Sequence, residues 1–259
     1  MTRIGKVSAV VLLAAIIAVA AAPVSADEIA QSGRQIVSKW QDAIVTVQLV
    51  VKTTASYEGE QAPPQEDKVE ANGLLIDPSG LVVTPLSEIS PEESMADYLG
   101  GEAEKYQVTT EITEVKIRMG DSKEIPAAVM IRDKELDLAF IRPLAKMATN
   151  VLAVDLSKGS KPELLDPVIA LSRQGVAVNR AVAASLDRIE TIVEKPRFFA
   201  VPDQGLDMGS SIFALDGSFI GLTVMRQLSS AAGGSNWYSN SAQIIVTAAD
   251  LAEAAKQAP

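Results

Sequence analysis

The sequence predicts an all-β fold of sandwich or barrel type, framed by one short helix at each end. Short apolar and β-branched runs are interrupted by turn signals about every ten residues, a spacing typical of such folds. Helical periodicity appears at residues 28–40 and 248–257, and residues 91–98 are a further candidate for a short helix. Because strands do not alternate with helices, a parallel βαβ sheet is not expected. The strands fall into two halves that join near residues 149–161.

The first half contains a clear hairpin signal at residues 73–84. Asp77-Pro78-Ser79-Gly80 separates two apolar runs and has turn residues at the corners where a tight turn needs them. The polar segment 53–67 is predicted to be a loop, and the acidic segment 91–111 an exposed insertion. The other predicted strands cover residues 43–51, 115–119, 125–131 and 136–143.

The second half repeats this organisation. Residues 215–221 predict a strand, a tight turn and a strand, and residues 175–193 predict two strands around a turn. Residues 229–239 are rich in Gly and Ser and predict a loop. The other predicted strands cover residues 166–172, 197–201, 222–226 and 242–246.

The N-terminus has the pattern of a secretory signal peptide, residues 1–26. Arg3 and Lys6 precede an apolar run over residues 7–22, and small residues lead to a cleavage point after Ala26. An N-terminal membrane anchor is the alternative, although the run is short for a membrane span. We therefore expect a secreted or periplasmic protein of the cell envelope, with no membrane association after cleavage.

Charge and composition exclude several classes of function. The chain of 259 residues carries a net charge of −10, which makes nucleic acid an unfavourable partner. It contains no cysteine, so disulfides and thiolate chemistry are excluded. It contains no histidine either, which removes the commonest general base and the commonest zinc ligand. No cofactor or metal is expected.

Four stretches of the sequence resemble the trypsin-like domain of bacterial HtrA/Deg-type serine proteases. Residues 72–84 resemble the family's G-S-G-F-I-I-x-x-x-G-x-I-V-T hairpin, and residues 136–140 resemble T-D-L-A-V. Residues 207–222 resemble N-S-G-G-P-L-L-N-x-x-G-x-V-I-G-I, and residues 115–129 resemble a strand pair of the family. The resemblance implies two six-stranded β-barrels, at about residues 43–148 and 162–247, within a trypsin-like domain over residues 27–259, and a C-terminal helix over 248–257.

The resemblance also assigns the positions of a Ser-His-Asp triad. The base falls on Ser87, the orienting carboxylate on Asp137 and the nucleophile on Met208, while the glycine that shapes the oxyanion hole falls on Leu206. A thioether cannot act as the nucleophile, and a serine is a poor base near neutral pH. The resemblance therefore implies a pseudoprotease, with Asp137 more plausibly a structural carboxylate than a binding residue.

Three hypotheses for function remain open. The chain is a catalytically inactive binding module for a peptide or protein, a hydrolase with a rearranged site, or a structural subunit of an assembly. For the hydrolase, Ser87 and the displaced nucleophiles Ser210 and Ser211 are the candidates. Met208 is either a binding residue or a gap filler.

Two further features were candidates for contact roles. The aromatic residues could form a peptide-binding wall, although Phe198 and Phe199 fit a core role better than Trp237 and Tyr238 do. The glutamate-rich segment 88–104 could bind calcium, but without the spacing of an EF-hand a solvated loop is favoured.

Overall fold

A computed structural model describes residues 25–57, 60–90, 106–147, 151–227 and 241–258. The helices in these ranges are α1 (Ser25–Trp40), α2 (Leu86–Ile89) and α3 (Ala248–Ala255). Single 3-10 turns cover Gln41–Ala43, Leu156–Lys158 and Val176–Val178. The first seven strands are β1 (Ile44–Tyr57), β2 (Glu60–Gln61), β3 (Gln65–Leu75), β4 (Val82–Pro85), β5 (Tyr106–Arg118), β6 (Glu124–Asp133) and β7 (Leu138–Pro143). The other six are β8 (Pro167–Arg173), β9 (Val182–Val193), β10 (Phe199–Pro202), β11 (Ser211–Ala214), β12 (Phe219–Gln227) and β13 (Ser241–Thr247).

The strands form two six-stranded antiparallel barrels, as the predicted fold class requires. In the N-terminal barrel the order is β1-β3-β4-β7-β6-β5, and pairing of β5 with β1 closes it, while β2 extends from the outer end of β1. In the C-terminal barrel the closed order is β10-β13-β12-β11-β8-β9. The prediction of an all-β protein with a short helix at each end is confirmed.

The two predicted hairpins are confirmed, and in both turns an aspartate carboxylate accepts a hydrogen bond from the backbone N–H two residues later. In the first, the Asp77 carboxylate accepts a hydrogen bond from Ser79 N–H at 2.7 Å, and Gly80 has φ +100°. In the second, the Asp216 carboxylate accepts from Ser218 N–H at 2.8 Å, and Gly217 has φ +82°. Glycine suits both positions because it adopts positive φ without steric cost.

The predicted loop at residues 53–67 is wrong. β1 continues to Tyr57, and Thr53 pairs with Gln65 of β3 and Thr110 of β5. β1, β3 and β5 form a three-stranded ribbon here, which extends beyond the ends of β4 and β6. Both faces of this ribbon meet water, so its polar sequence lacks the alternation that marks a half-buried strand.

The two strands predicted for residues 175–193 are also wrong, because the structure has one. The chain turns before this single strand, at Asn179 and Arg180, which have φ +59° and +53°. β9 then pairs with β8 without interruption. Its Asp187 is buried, and the carboxylate accepts hydrogen bonds from the backbone N–H groups of Arg188 and Gln204. These partners satisfy the buried carboxylate inside one continuous strand.

One large hydrophobic core runs through both barrels and holds them together. It includes Leu74 and Phe140 of the N-terminal barrel together with Phe213 and Leu222 of the C-terminal barrel. The helix α1 joins the same core, since the ring of Trp40 stacks on Phe213 with 5.9 Å between centroids. A smaller cluster fills the C-terminal barrel and consists of Val168, Ala170, Ile189, Ala200, Ile212, Ile220 and Ile245. The shared core fixes the geometry of the cleft between the barrels.

Candidate functional site

The positions assigned to base and carboxylate lie in direct contact between the barrels. Ser87 is on α2, directly after β4, and Asp137 precedes β7. Ser87 Oγ donates a hydrogen bond to Asp137 Oδ2 at 2.9 Å, and Ser87 N–H donates to Oδ1 at 2.7 Å. Pairing of β4 with β7 brings these residues together although fifty positions separate them.

Asp137 also connects the two barrels. Its Oδ2 accepts a hydrogen bond at 2.9 Å from the backbone N–H of Met225, which lies on β12 of the C-terminal barrel. Asp137 has φ +55°, a conformation that aspartate tolerates better than most residues. A carboxylate with three donors, two from α2 and one from β12, acts as a structural anchor at this point.

Met208 lies on the loop of residues 206–210, which packs against the N-terminal barrel. Its carbonyl oxygen accepts a hydrogen bond from Asn72 Nδ2 at 3.1 Å. Next to it, Gly209 has φ +74°, and a Cβ atom there would lie 2.8 Å from Asn72 O and 3.0 Å from Pro85 Cδ. Pro85 ends β4 directly before α2, so the loop that carries Met208 lies beside the start of the helix that carries Ser87.

Gln243 on β13 occupies the inner side of this loop and was missed in the sequence. Its Oε1 accepts from Leu206 N–H at 2.9 Å, and its Nε2 donates to Leu206 O at 2.6 Å and contacts Met208 Sδ at 3.3 Å. The Leu206 N–H is at the position that the resemblance assigns to the oxyanion hole. An amide side chain of the protein itself therefore engages this donor. The only signal in the sequence is a single polar residue inside the apolar stretch 242–246.

Two further carboxyl groups lie near Asp137. Asp207 Oδ2 accepts from Ser172 Oγ at 2.8 Å and from Gln174 Nε2 at 3.0 Å. Burial raises the pKa of the Glu88 carboxyl group above its usual range, and the negative charges of Asp137 and Asp207 raise it further. Glu88 therefore holds its proton to higher pH than an exposed glutamate does.

Ser210 and Ser211, the candidates for a displaced nucleophile, are both buried, with 2% and 0% of their surface exposed. Ser210 Oγ donates to Asp207 O at 2.7 Å. Ser211 Oγ lies inside β11 and has no hydrogen-bond partner among the residues that the structure describes. A substrate does not reach either hydroxyl in this conformation, which argues against both as nucleophiles.

One side of β12 leaves backbone groups open to the cleft. On the side away from β13, Thr223 bonds to Gly209 and Ser210, and Met225 N–H bonds to Asp137. Because alternate residues point their backbone groups to the same side, Met225 C=O and both backbone groups of Gln227 face this side as well. Within the described ranges, no strand pairs with this side of β12 beyond Leu222. We call this segment, residues 225–227, the β12 edge.

The aromatic candidates divide between described and undescribed residues. Phe198 and Phe199 line a cavity of about 280 Å³ beside the β12 edge. The cations of Lys161 and Arg226 lie over their rings, at 4.1 and 4.6 Å from the centroids of Phe198 and Phe199 respectively. Trp237 and Tyr238 lie outside the described residues, as does the glutamate-rich segment after Ser90.

Among the described residues, no three His, Cys, Asp or Glu side chains are arranged to hold a metal ion. None of the helices in these ranges combines the length and the hydropathy required to span a membrane.

The sequence matches no protein-family model, and a search of curated proteins finds no significant match. The comparison with known proteins therefore rests on the fold. Two antiparallel six-stranded barrels, with the candidate site between them, are consistent with a chymotrypsin-like fold.

Proposed function

We propose that the protein is an exported, trypsin-like pseudoprotease of HtrA/Deg type that binds a peptide or protein segment in the cell envelope without cleaving it. The observation that carries this proposal is the thioether of Met208 at the nucleophile position, in contact with Gln243. A thioether has no proton to give up and forms no acyl intermediate.

The surroundings of Met208 support the loss of catalysis. The sequence contains no histidine to act as the base. Ser87 stands at the base position, and its hydroxyl donates to Asp137, so this pair orients no imidazole. The Leu206 N–H, which an oxyanion would need, already donates to Gln243 Oε1.

The β12 edge supports a binding role. Its three backbone groups can take up an extended peptide as an added antiparallel strand, a common mode of peptide recognition. The carbonyl of Met225 and the N–H and carbonyl of Gln227 would supply main-chain hydrogen bonds. The cavity beside them would accept side chains of the bound segment.

The proposed location follows from the signal-peptide pattern of residues 1–26. The net charge of −10 disfavours nucleic acid and anionic membrane surfaces as partners. A protein or peptide remains the favoured partner.

The test of lost catalysis is labelling with a fluorophosphonate probe, beside digestion of unfolded casein. We expect neither label nor cleavage. A label on Ser87, the half-exposed serine that contacts a carboxylate, would support the alternative, a serine hydrolase with a rearranged site without histidine. A label on Ser210 or Ser211 would support the same alternative and would require the loop of residues 206–210 to open.

A further inference from the structure

The cavity beside the β12 edge combines an apolar floor with a basic rim. Phe198, Phe199 and Val224 contribute to the floor, together with Ile244 and Val246 of β13. A cavity of about 280 Å³ accommodates one or two side chains of a bound peptide, not a larger ligand.

The rim reverses the overall charge of the protein. Three cationic side chains line it, namely Lys134, Arg197 and Arg226. Of the two carboxylates that also line it, Glu135 pairs with Arg197 at 3.3 Å. The other, Asp250, bonds to Thr247 at the start of α3. The cations outnumber the carboxylates by one, in a chain with net charge −10, and this local excess of positive charge favours an acidic partner by charge complementarity.

Arg226 is well oriented for this purpose. It lies on β12 between Met225 and Gln227, and its guanidinium is over the ring of Phe199 at 4.6 Å. A guanidinium stacked on a ring keeps its N–H donors in its own plane, where a carboxylate can accept two of them at once. Arg226 therefore contacts the Phe199 ring of the floor and can still bind an anion through its N–H donors.

We propose that this cavity selects peptides in which an acidic side chain lies two positions from an apolar one, on the same face of the added strand, so that the apolar residue enters the floor and the carboxylate meets Arg226. This inference rests on the proposed function, because it assumes that a peptide pairs with the β12 edge. It adds the chemical class of the partner.

The experiment compares two fluorescein-labelled hexapeptides, threonine-valine-threonine-glutamate-threonine-valine and the same peptide with glutamine in place of glutamate, so that valine and the tested residue share one face of the strand. Binding to the purified protein is measured by fluorescence anisotropy at low and at physiological salt. We expect the glutamate peptide to bind about tenfold more tightly, and the preference to shrink as salt screens the charges.

Substitutions then locate the preference. Arg226→Gln should reduce the preference for the glutamate peptide to less than about threefold. Arg197→Gln, on the exposed rim, should weaken the preference while leaving the apolar floor unchanged. Lys123→Gln is the matched control, because it removes one positive charge in the turn at the opposite end of β6 from the cavity. It should leave the preference unchanged.

The outcomes separate this inference from the proposed function. If both peptides bind equally and Gln227→Pro weakens both, peptide binding at the β12 edge stands and selection of acidic residues is wrong. A preference that survives both Arg226→Gln and Arg197→Gln would also overturn the selection of acidic residues by this cavity. If neither peptide binds, the proposed strand addition fails together with the inference.

Discussion

At the scale of single residues, each of the three positions that the resemblance assigns to a triad is engaged with other groups of the protein. Asp137 is held by Ser87 and Met225 and connects the barrels, and Met208 contacts Gln243. The pairing of Ser87 with Asp137 could be predicted from the sequence, because the resemblance assigns these two positions to the base and the carboxylate that orients it. The role of Gln243 could not, since it depends on the register of β13 against β12, which pairs Gln243 with Met225.

Glu88 provides a prediction of pH dependence. Its pKa is raised in the folded state by burial and by Asp137 and Asp207, so its contribution favours folding below its unfolded pKa and is lost as the pH rises through the raised pKa. Glu88→Gln does not titrate. At pH 7 the variant should be more stable than the parent, and the difference should shrink below about pH 4, near the usual pKa of glutamate. Urea unfolding of the parent and of Glu88→Gln from pH 7 to below about pH 4 measures the difference in their free energies of unfolding.

The control for this prediction is Glu190→Gln, at an exposed position on β9. This variant should follow the parent at every pH. If Glu88→Gln is no more stable than the parent at pH 7, the carboxyl group is not destabilised by its surroundings as we infer.

At the scale of elements, the loop of residues 206–210 decides the shape of the site. It follows β10 and leads into β11, and it fits against Asn72 and Pro85 only because residue 209 is a glycine. The sequence predicted the hairpin after this loop, since local turn residues specify it. The close approach to the N-terminal barrel involves residues more than one hundred positions away, so no local pattern signals it.

A pair of glycines in this region tests the fit. Gly209→Ala would place a Cβ atom 2.8 Å from Asn72 O at φ +74°. We expect a loss of about 2–4 kcal/mol in the free energy of unfolding, from backbone strain and overpacking together. Gly205→Ala is the matched control, because nothing lies within 4 Å of its Cβ position. Thermal unfolding of both variants gives the comparison, and an equal effect of the two would contradict the close approach.

At the scale of the whole molecule, Arg173 at the end of β8 holds the barrels and the N-terminal segment together. Its guanidinium donates to the carbonyl oxygens of Ile44 at 2.8 Å, Gln41 at 2.9 Å and Arg180 at 3.3 Å. Its backbone N–H donates to Asn72 Oδ1 at 2.6 Å. Burial lowers the pKa of Arg173, which is the cost of placing a charge between two barrels. The contacts span residues 41–180, so the arginine couples distant parts of the chain.

Replacing this arginine should weaken the whole fold. Arg173→Ala removes the donor from the carbonyl groups of buried Ile44, half-buried Arg180 and exposed Gln41, and we expect a loss of about 2–4 kcal/mol in the free energy of unfolding. Arg188→Ala, an exposed arginine with one bond to Leu165 O, should cost less than about 1 kcal/mol. Urea unfolding followed by circular dichroism and by tryptophan fluorescence measures both. Similar losses for the two variants would show that Arg173 does not couple the barrels.

The sequence by itself determined the all-β class, the two hairpins and the terminal helices, because strand alternation, turn residues and helical spacing are local signals. The missing histidine and the methionine at position 208 also follow from the sequence alone. Only the tertiary structure decided that residues 53–57 and 65–67 are strands, that Gln243 engages the Leu206 N–H, and that Asp137 anchors two barrels. Each of these depends on a hydrogen-bond partner distant in sequence, and the folded chain supplies that partner only when both barrels close.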